Sequence, residues 1–399
     1  MSVANQPLAG VRVLEFGTLI AGPFCARVLA EFGAEVIKVE SPAGGDPLRK
    51  WRKLHEGTSL WWYLQSRNKR SLTLNLKHPD AVAIARELAT QADIVIENFR
   101  PGVMEKLGLG WETLSALNPG LVMVRLSGFG QTGPKRDQPG FGAIGESMGG
   151  LRFITGYPDR PPVKTGISIG DSIAALWAAL GAMMALRHRE VNGGAGQVVD
   201  VALYEAVFAM MESLVPEYDL FGFIRERTGN VMPGITPSNT HTTRDDRHVI
   251  IGGNGDAIFK RLMHAVGRDD LAEDPDLASN AGRDARAVEI YGVIDAWVAR
   301  HNLDQVLAIL QDADVPATHT YSVADMLEDP QFQARGMIEQ MRLADGRAVR
   351  MPGIVPRLTE TPGGTRWPGP ALGEHTDEIL ASLGRDAEEI ARLRGCGAL

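Results

Sequence analysis

The chain has 399 residues, 44% hydrophobic and 23% charged, a soluble globular profile that is too long for one ordinary core. A formal charge of -8 and a pI near 5.7 exclude a broad basic field for nucleic acid, so an anionic ligand must be met by a local cluster of donors. The two cysteines, Cys25 and Cys396, exclude a disulfide framework and a four-cysteine zinc site and point to a reducing cytoplasm.

The N-terminus lacks the charged-then-apolar pattern of a signal peptide. Val11–Phe16 reads as a strand, Phe24–Phe32 as a helix entered through Gly22-Pro23, and Val36–Val39 as the next strand. Ser71–Leu76 looks extended, and Asp80 is placed to cap a helix whose Ala81, Ile84 and Leu88 share one face. Ile94–Ile96 and Val122–Leu126 read as short buried strands. This alternation argues for a largely parallel, doubly wound α/β sheet. A helix from about Asp171 to Arg189 follows. Its apolar stretch, Ile173–Leu186, is alanine-rich and falls short of the roughly 18 residues of a membrane span, so it reads as a buried helix. Val198–Val201 leads into another helix ending near Val215. The breaker-rich Gly222–Ser238 marks a boundary. A smaller α/β unit is expected from Thr240 to about Pro316, with a strand at His248–Ile251 and helices at Ala257–Val266 and Ala285–His301. Asp345-Gly346 suggests a hairpin, and a last helix is expected near Asp386–Arg394.

Several blocks carry a resemblance. They are Gly10–Phe16 (GVRVLEF), Leu19–Pro23 (LIAGP), Gly33–Glu40 (GAEVIKVE), Arg67–Ser71 (RNKRS) and Glu97–Gly102 (ENFRPG). They continue with Leu126–Pro134 (LSGFGQTGP), Gly194–Gln197 (GAGQ) and Leu372–Thr376 (LGEHT). In this order and spacing the sequence resembles the class III CoA-transferases over nearly its whole length. The resemblance implies a Rossmann-like large domain, with residues 1–222 as its N-terminal part. A small α/β domain would span 223–322, and residues 323–399 would return to the large domain. It also implies an interlocked homodimer, with no membrane or nucleic-acid partner.

The same resemblance assigns the candidate site. Asp171 matches the aspartate that forms an acyl anhydride and then an aspartyl-CoA thioester; read from the residues alone, it is a helix N-cap. A helix start favours the ionised carboxylate, which is the attacking form. Gly252, Gly253, Asn254 and Gly255 match a mobile glycine lid, with a plain turn as the alternative. Leu74, Lys77, Asn98, Phe99 and Lys106 match the CoA site, lysines suiting phosphates and apolar side chains an adenine ring. Ile20 stands where formyl-CoA transferases have a substrate-touching Gln, and Ser41 where they have an Arg near the nucleotide. Arg52, in a basic and aromatic stretch between Gly44 and Tyr63, is placed to fork onto the distal carboxylate of a dicarboxylic acid, with a surface loop as the alternative.

Phe141 decides between the two enzyme chemistries of the superfamily. The α-methylacyl-CoA racemases have a His-Asp pair there, and Phe cannot act as a base. The expected activity is therefore transfer of CoA, as a thioester substrate with no permanently bound cofactor, from a donor such as succinyl-CoA to a short dicarboxylate or analogue. The alternatives are a racemase and a CoA-binding protein without turnover. His55, His241 and His375 have no metal-ligand spacing, and no metal is assigned.

Overall fold

The structure is a computed structural model, and it describes residues 5–399. Six strands form one parallel sheet: β1 (Arg12–Glu15), β2 (Glu35–Glu40), β3 (Lys69–Thr73), β4 (Ile94–Glu97), β5 (Val122–Ser127) and β6 (Val198–Ala202). Their spatial order is β3-β2-β1-β4-β5-β6. That is the order of doubly wound nucleotide-binding sheets, and it reverses direction between β1 and β4. The central strands are apolar runs because both faces are covered. Val13, Ile94, Ile96, Val122 and Val124 pack on one side with α1 (Ala21–Glu31) and the long helix Ile169–Val191. Leu14, Val95 and Met123 pack on the other with α2 (Pro79–Gln91) and α3 (Trp111–Leu117), joined by the C-terminal helices Thr376–Ser382 and Ala387–Gly395. Alternate side chains thus serve opposite layers, as strand geometry requires.

Several boundaries differ from the sequence reading for local reasons. Helix α1 starts at Ala21, and Pro23 sits inside its first turn, where its missing N–H has no partner to lose. His78, not Asp80, caps α2: the His78 ring accepts the Asp80 N–H, and Pro79 occupies the first helical position. The extended segment is Lys69–Thr73, shifted two residues towards the N-terminus by its pairing with β2. The helix expected after Val201 is two, Leu203–Phe208 and Leu214–Phe221.

The chain forms two compact units. Of the described residues, one comprises 5–152, 165–220 and 336–399, the other 153–164 and 221–335. The second holds a three-stranded antiparallel sheet, Ser238–Thr242, His248–Gly252 and Ala317–His319, over a core that includes Phe259, Leu262, Ile294 and Trp297. Leu303–Asp312, which the sequence reading left without an element, is one of its helices. The Asp345-Gly346 turn joins Ile338–Arg342 to Ala348–Pro352 as an antiparallel hairpin in the first unit.

Candidate active site

Ligands of doubly wound sheets bind beyond the C-terminal strand ends at the point where strand order reverses. A cavity of about 290 Å³ lies there in this chain. Phe16 and Thr18 follow β1, Ser41 and Asp46 follow β2, Leu74 and Lys77 follow β3, and Phe99 follows β4; all line it. Its volume is at the small end of ligand pockets, roughly 300–1,000 Å³, which suits one ring system rather than a whole nucleotide thioester. Of the five residues matched to the CoA site, Leu74, Lys77 and Phe99 meet here. Lys106 is exposed at the end of the short helix Val103–Lys106 and is not among the lining residues. Asn98 is otherwise engaged: its amide accepts from the Thr18 N–H at 2.8 Å and donates to the Thr18 carbonyl at 2.9 Å.

The loop after β1 is held by side chains at every step. Lys38 donates to the Gly17 carbonyl at 2.6 Å, Asn98 clamps Thr18, and both Asp46 carboxylate oxygens accept the Leu19 N–H at 3.0 and 3.1 Å. Gln65 donates to the Ile20 carbonyl at 3.0 Å. Leu19 has φ +63°, a left-handed conformation that costs a residue of its type about 1–3 kcal/mol and persists only where its surroundings impose it. Ile20, matched to the substrate position, is 7% exposed and precedes α1.

Beneath that loop lies a fully buried ionic cluster that the sequence reading did not assemble. Lys38 pairs with Glu15 at 2.8 Å and Asp46 at 2.9 Å, and Lys69 takes the other Glu15 oxygen at 2.8 Å. Arg49 forks onto Glu40 at 2.8 and 2.7 Å, and its guanidinium lies 3.7 Å from the centre of the Trp62 ring. Three cations face three carboxylates, so the desolvation of each is offset locally. Burial raises the Asp46 carboxyl, but Lys38 and the Leu48 and Leu19 amides more than reverse this and hold it below its usual range. Burial likewise raises Glu40, and Arg49 with Lys38 outweighs it. Burial, only partly countered by Glu15, brings Lys69 down to about 8. The signal was legible one residue at a time: a lone Glu in GVRVLEF and a lone Lys in GAEVIKVE are charges inside buried strands.

Asp171 lies on α5 (Ile169–Val191), behind α4 (Gly142–Met148) in sequence. The N-cap is Ser168, so Asp171 is the third helical residue and not the cap expected from sequence. It remains in the first turn, where the helix dipole favours a carboxylate. A Cβ on Gly142 would lie 2.0 Å from the Asp171 Oδ2, so the carboxylate fills the space of a side chain at 142. The buried Glu146 accepts the Gly170 N–H at 3.4 Å and pairs with Arg152 at 2.8 Å, fixing the start of α5. Phe141, the residue before Gly142, precedes α4 and is 66% exposed. Cys25 offers no rival nucleophile: it is buried, and burial, then Glu15, pushes its thiol up to about 12.

In the second unit Gly252–Gly255 joins a strand to a helix. Gly252 and Gly253 donate to the Pro316 and Pro237 carbonyls, both at 2.9 Å, and the Asn254 carbonyl accepts from Arg283 at 2.8 Å. Gly253 is required by close approach, since a Cβ there would lie 2.5 Å from Leu262. Arg52 sits in an exposed turn at φ +58°, with its guanidinium 4.8 Å from the centre of the Trp61 ring. The ring it stacks on is Trp61. The three histidines have polar partners. His55 pairs with Asp345 at 2.8 Å, His241 with Asp295 at 2.6 Å, and the His375 Nδ1 accepts the Ser71 N–H at 3.2 Å.

Three comparisons place this geometry among known proteins. A family model described as CoA-transferase family III matches residues 8–376. The chain is 51% identical over 391 residues to succinyl-CoA–D-citramalate CoA-transferase of Chloroflexus aurantiacus, covering 98% of this chain and 97% of that protein. It is 36% identical to succinate–glutarate CoA-transferase of Agrobacterium fabrum, covering 95% and 96% respectively. Among solved structures, a CAIB/BAIF family protein from Brucella suis superposes with a TM-score of 0.84 at 34% identity, covering 95% of this chain and all of that one. With a mixed α/β fold on a parallel sheet and a match that runs almost from end to end, the chain belongs to CoA-transferase family III.

Proposed function

We propose that this enzyme moves coenzyme A from succinyl-CoA to a short dicarboxylate or close analogue, with Asp171 as the covalent nucleophile. The carrying observation is the Asp171 carboxylate, set in the first turn of α5 against a glycine that makes room for it. The ionised carboxylate attacks the donor thioester carbonyl, forming a mixed anhydride and releasing CoA thiolate. The thiolate then attacks the aspartyl carbonyl, giving an aspartyl-CoA thioester and free succinate. The acceptor carboxylate attacks that thioester, forming a second anhydride and again releasing thiolate. Attack of the thiolate on the acceptor carbonyl yields the product thioester and regenerates Asp171. Each step exchanges acyl groups between species of comparable reactivity, so no external energy source is needed.

The switch-point cavity is the adenine end of the CoA site, with Leu74 and Phe99 on the ring and Lys77 towards the phosphates. The Gly252–Gly255 loop is a lid, and moving it breaks the backbone bonds of Gly252 and Gly253 and the bond from Arg283 to the Asn254 carbonyl. Arg52 receives the distal carboxylate. Support for a dicarboxylate comes from relatives: those similar to this chain over almost their whole length are named for citramalate, malate, glutarate and mesaconate. Phe141 leaves no base for racemisation.

The chain works as an interlocked homodimer in a reducing cytoplasm, its large domain Rossmann-like. Helix α5 carries Leu176, Trp177, Leu180, Met183 and Met184 on an exposed stripe at helical spacing, an apolar surface suited to a second copy. Among the described residues α5 is the one helix long and apolar enough to cross a membrane. Its alanine face packs into the sheet core, which reads it as a core helix. The test is a screen of mono- and dicarboxylic acids with succinyl-CoA and acetyl-CoA as donors, read by mass spectrometry of the CoA products. Preference for succinyl-CoA and a four- or five-carbon dicarboxylate is expected. Equal use of acetate or propionate would overturn the substrate reading.

A further inference from the structure

We infer that Gly142 is a positioning residue for the nucleophile: the missing side chain at 142 is the slot that holds the Asp171 carboxylate in its reactive orientation. This rests on Asp171 being the nucleophile. The three heavy atoms nearest to a Cβ built on Gly142 all belong to Asp171, with Oδ2 at 2.0 Å, Cγ at 2.7 Å and Oδ1 at 3.2 Å. Real Cβ atoms do not approach so closely, so one of the two groups has to move.

Helix α4 is not the one that moves, because glycines press it onto the helix Leu203–Phe208 and onto the start of α5. A Cβ on Gly145 would lie 2.8 Å from that of Leu203, and one on Gly149 would lie 2.7 Å from that of Val207. The loop leading into α4 is pinned where Gly128 meets Gly140, with 2.7 Å from a Cβ on the former to the Cα of the latter. The start of α5 is equally close, since a Cβ on Gly170 would lie 2.9 Å from the Gly142 carbonyl oxygen. Gly142 itself is not in the left-handed region, so nothing in its backbone demands glycine. The demand comes from the carboxylate. A side chain at 142 therefore swings the Asp171 carboxylate to another rotamer while both helices stay in place.

The test is Gly142→Ala, alone and in the Asp171→Ala background. Alanine is a better helix residue than glycine, so where the carboxylate is absent the change raises the melting temperature. With Asp171 present that gain shrinks or reverses, giving a non-additive cycle. In the same single variant kcat for succinyl-CoA falls about 100-fold or more, the scale of a misplacement of about 1 Å, while KM stays within about threefold. Wild-type kcat in Gly142→Ala overturns the inference, as does an additive melting cycle. If Gly142→Ala does not fold, a folded Gly142→Ala/Asp171→Ala protein sustains the inference and an unfolded one overturns it. Failure of the nucleophile reading shows separately, as turnover by Asp171→Ala with the melting cycle still non-additive.

Discussion

Replacing Asp46 by Ala removes one carboxylate from the buried ionic cluster and leaves Lys38 with Glu15 alone. The Asp46 and Lys38 side chains are each 1% exposed, so water cannot screen the stranded charge. Breaking a buried pair of this kind costs about 3–5 kcal/mol. The same change orphans the Leu19 and Leu48 amides, which both donate to Asp46, and a buried amide left unpaired costs about 1–3 kcal/mol. These terms overlap, and the upper end of the pair range, about 5 kcal/mol, is the working figure. With a urea dependence of about 3 kcal/mol per molar, the unfolding midpoint should fall by about 1.7 M. The control is Asp270→Ala. Asp270 makes two 2.7 Å bonds to Arg268 but is largely exposed, and its midpoint should not move beyond error. Urea titrations followed by circular dichroism give both numbers. Equal shifts for the two variants would refute the reasoning, because the Asp46 pair and its amide bonds are buried and the Asp270 pair is exposed.

Acid should expose the same cluster. Glu40 and Asp46 titrate below their unfolded values of about 4, so on acidification the unfolded chain takes up protons first. Stability is then complete above about pH 5 and lost as pH falls through the folded values, and Asp46→Ala should show a shallower acid slope of the urea midpoint than wild type; a steeper slope would contradict the assignment. Phe99→Ala and Lys77→Ala should raise KM for every CoA donor alike and leave kcat within about threefold, since uniform binding is lost; a kcat-only effect would remove these residues from the CoA site. Incubation of a 2-methylacyl-CoA in heavy water should show no α-deuterium uptake, and rapid uptake would reinstate the racemase.

Much of the fold was legible because the β-strands are β-branched runs at βαβ spacing, and both layers bury them. What sequence misplaced were caps and ends. His78 outcompeted Asp80 because Pro79 fits the first helical position, and Ser168 took the cap assigned to Asp171. The nucleophile role proposed for Asp171 rests on its motif, since an aspartate at a helix start is ordinarily structural. The ionic cluster was out of reach because Glu15, Lys38 and Lys69 are brought together by the sheet pairings of β1, β2 and β3, and Asp46 reaches them from the loop after β2. Gly142 was harder still, because its role is the absence of an atom and depends on where a carboxylate 29 positions later comes to rest. Which ring Arg52 stacks on was not legible, because it depends on the chain reversal between Leu54 and Ser59.

The central claim is that Asp171 becomes covalently bonded to the substrate. Intact-protein mass spectrometry of the enzyme quenched within its first turnover on succinyl-CoA measures this directly. Wild type should gain the mass of an aspartyl-CoA thioester, sensitive to hydroxylamine and located by peptide mapping at Asp171. Asp171→Ala should keep its melting temperature while showing neither adduct nor transfer. Transfer at the wild-type rate by Asp171→Ala, or an adduct mapped to another residue, would contradict the account.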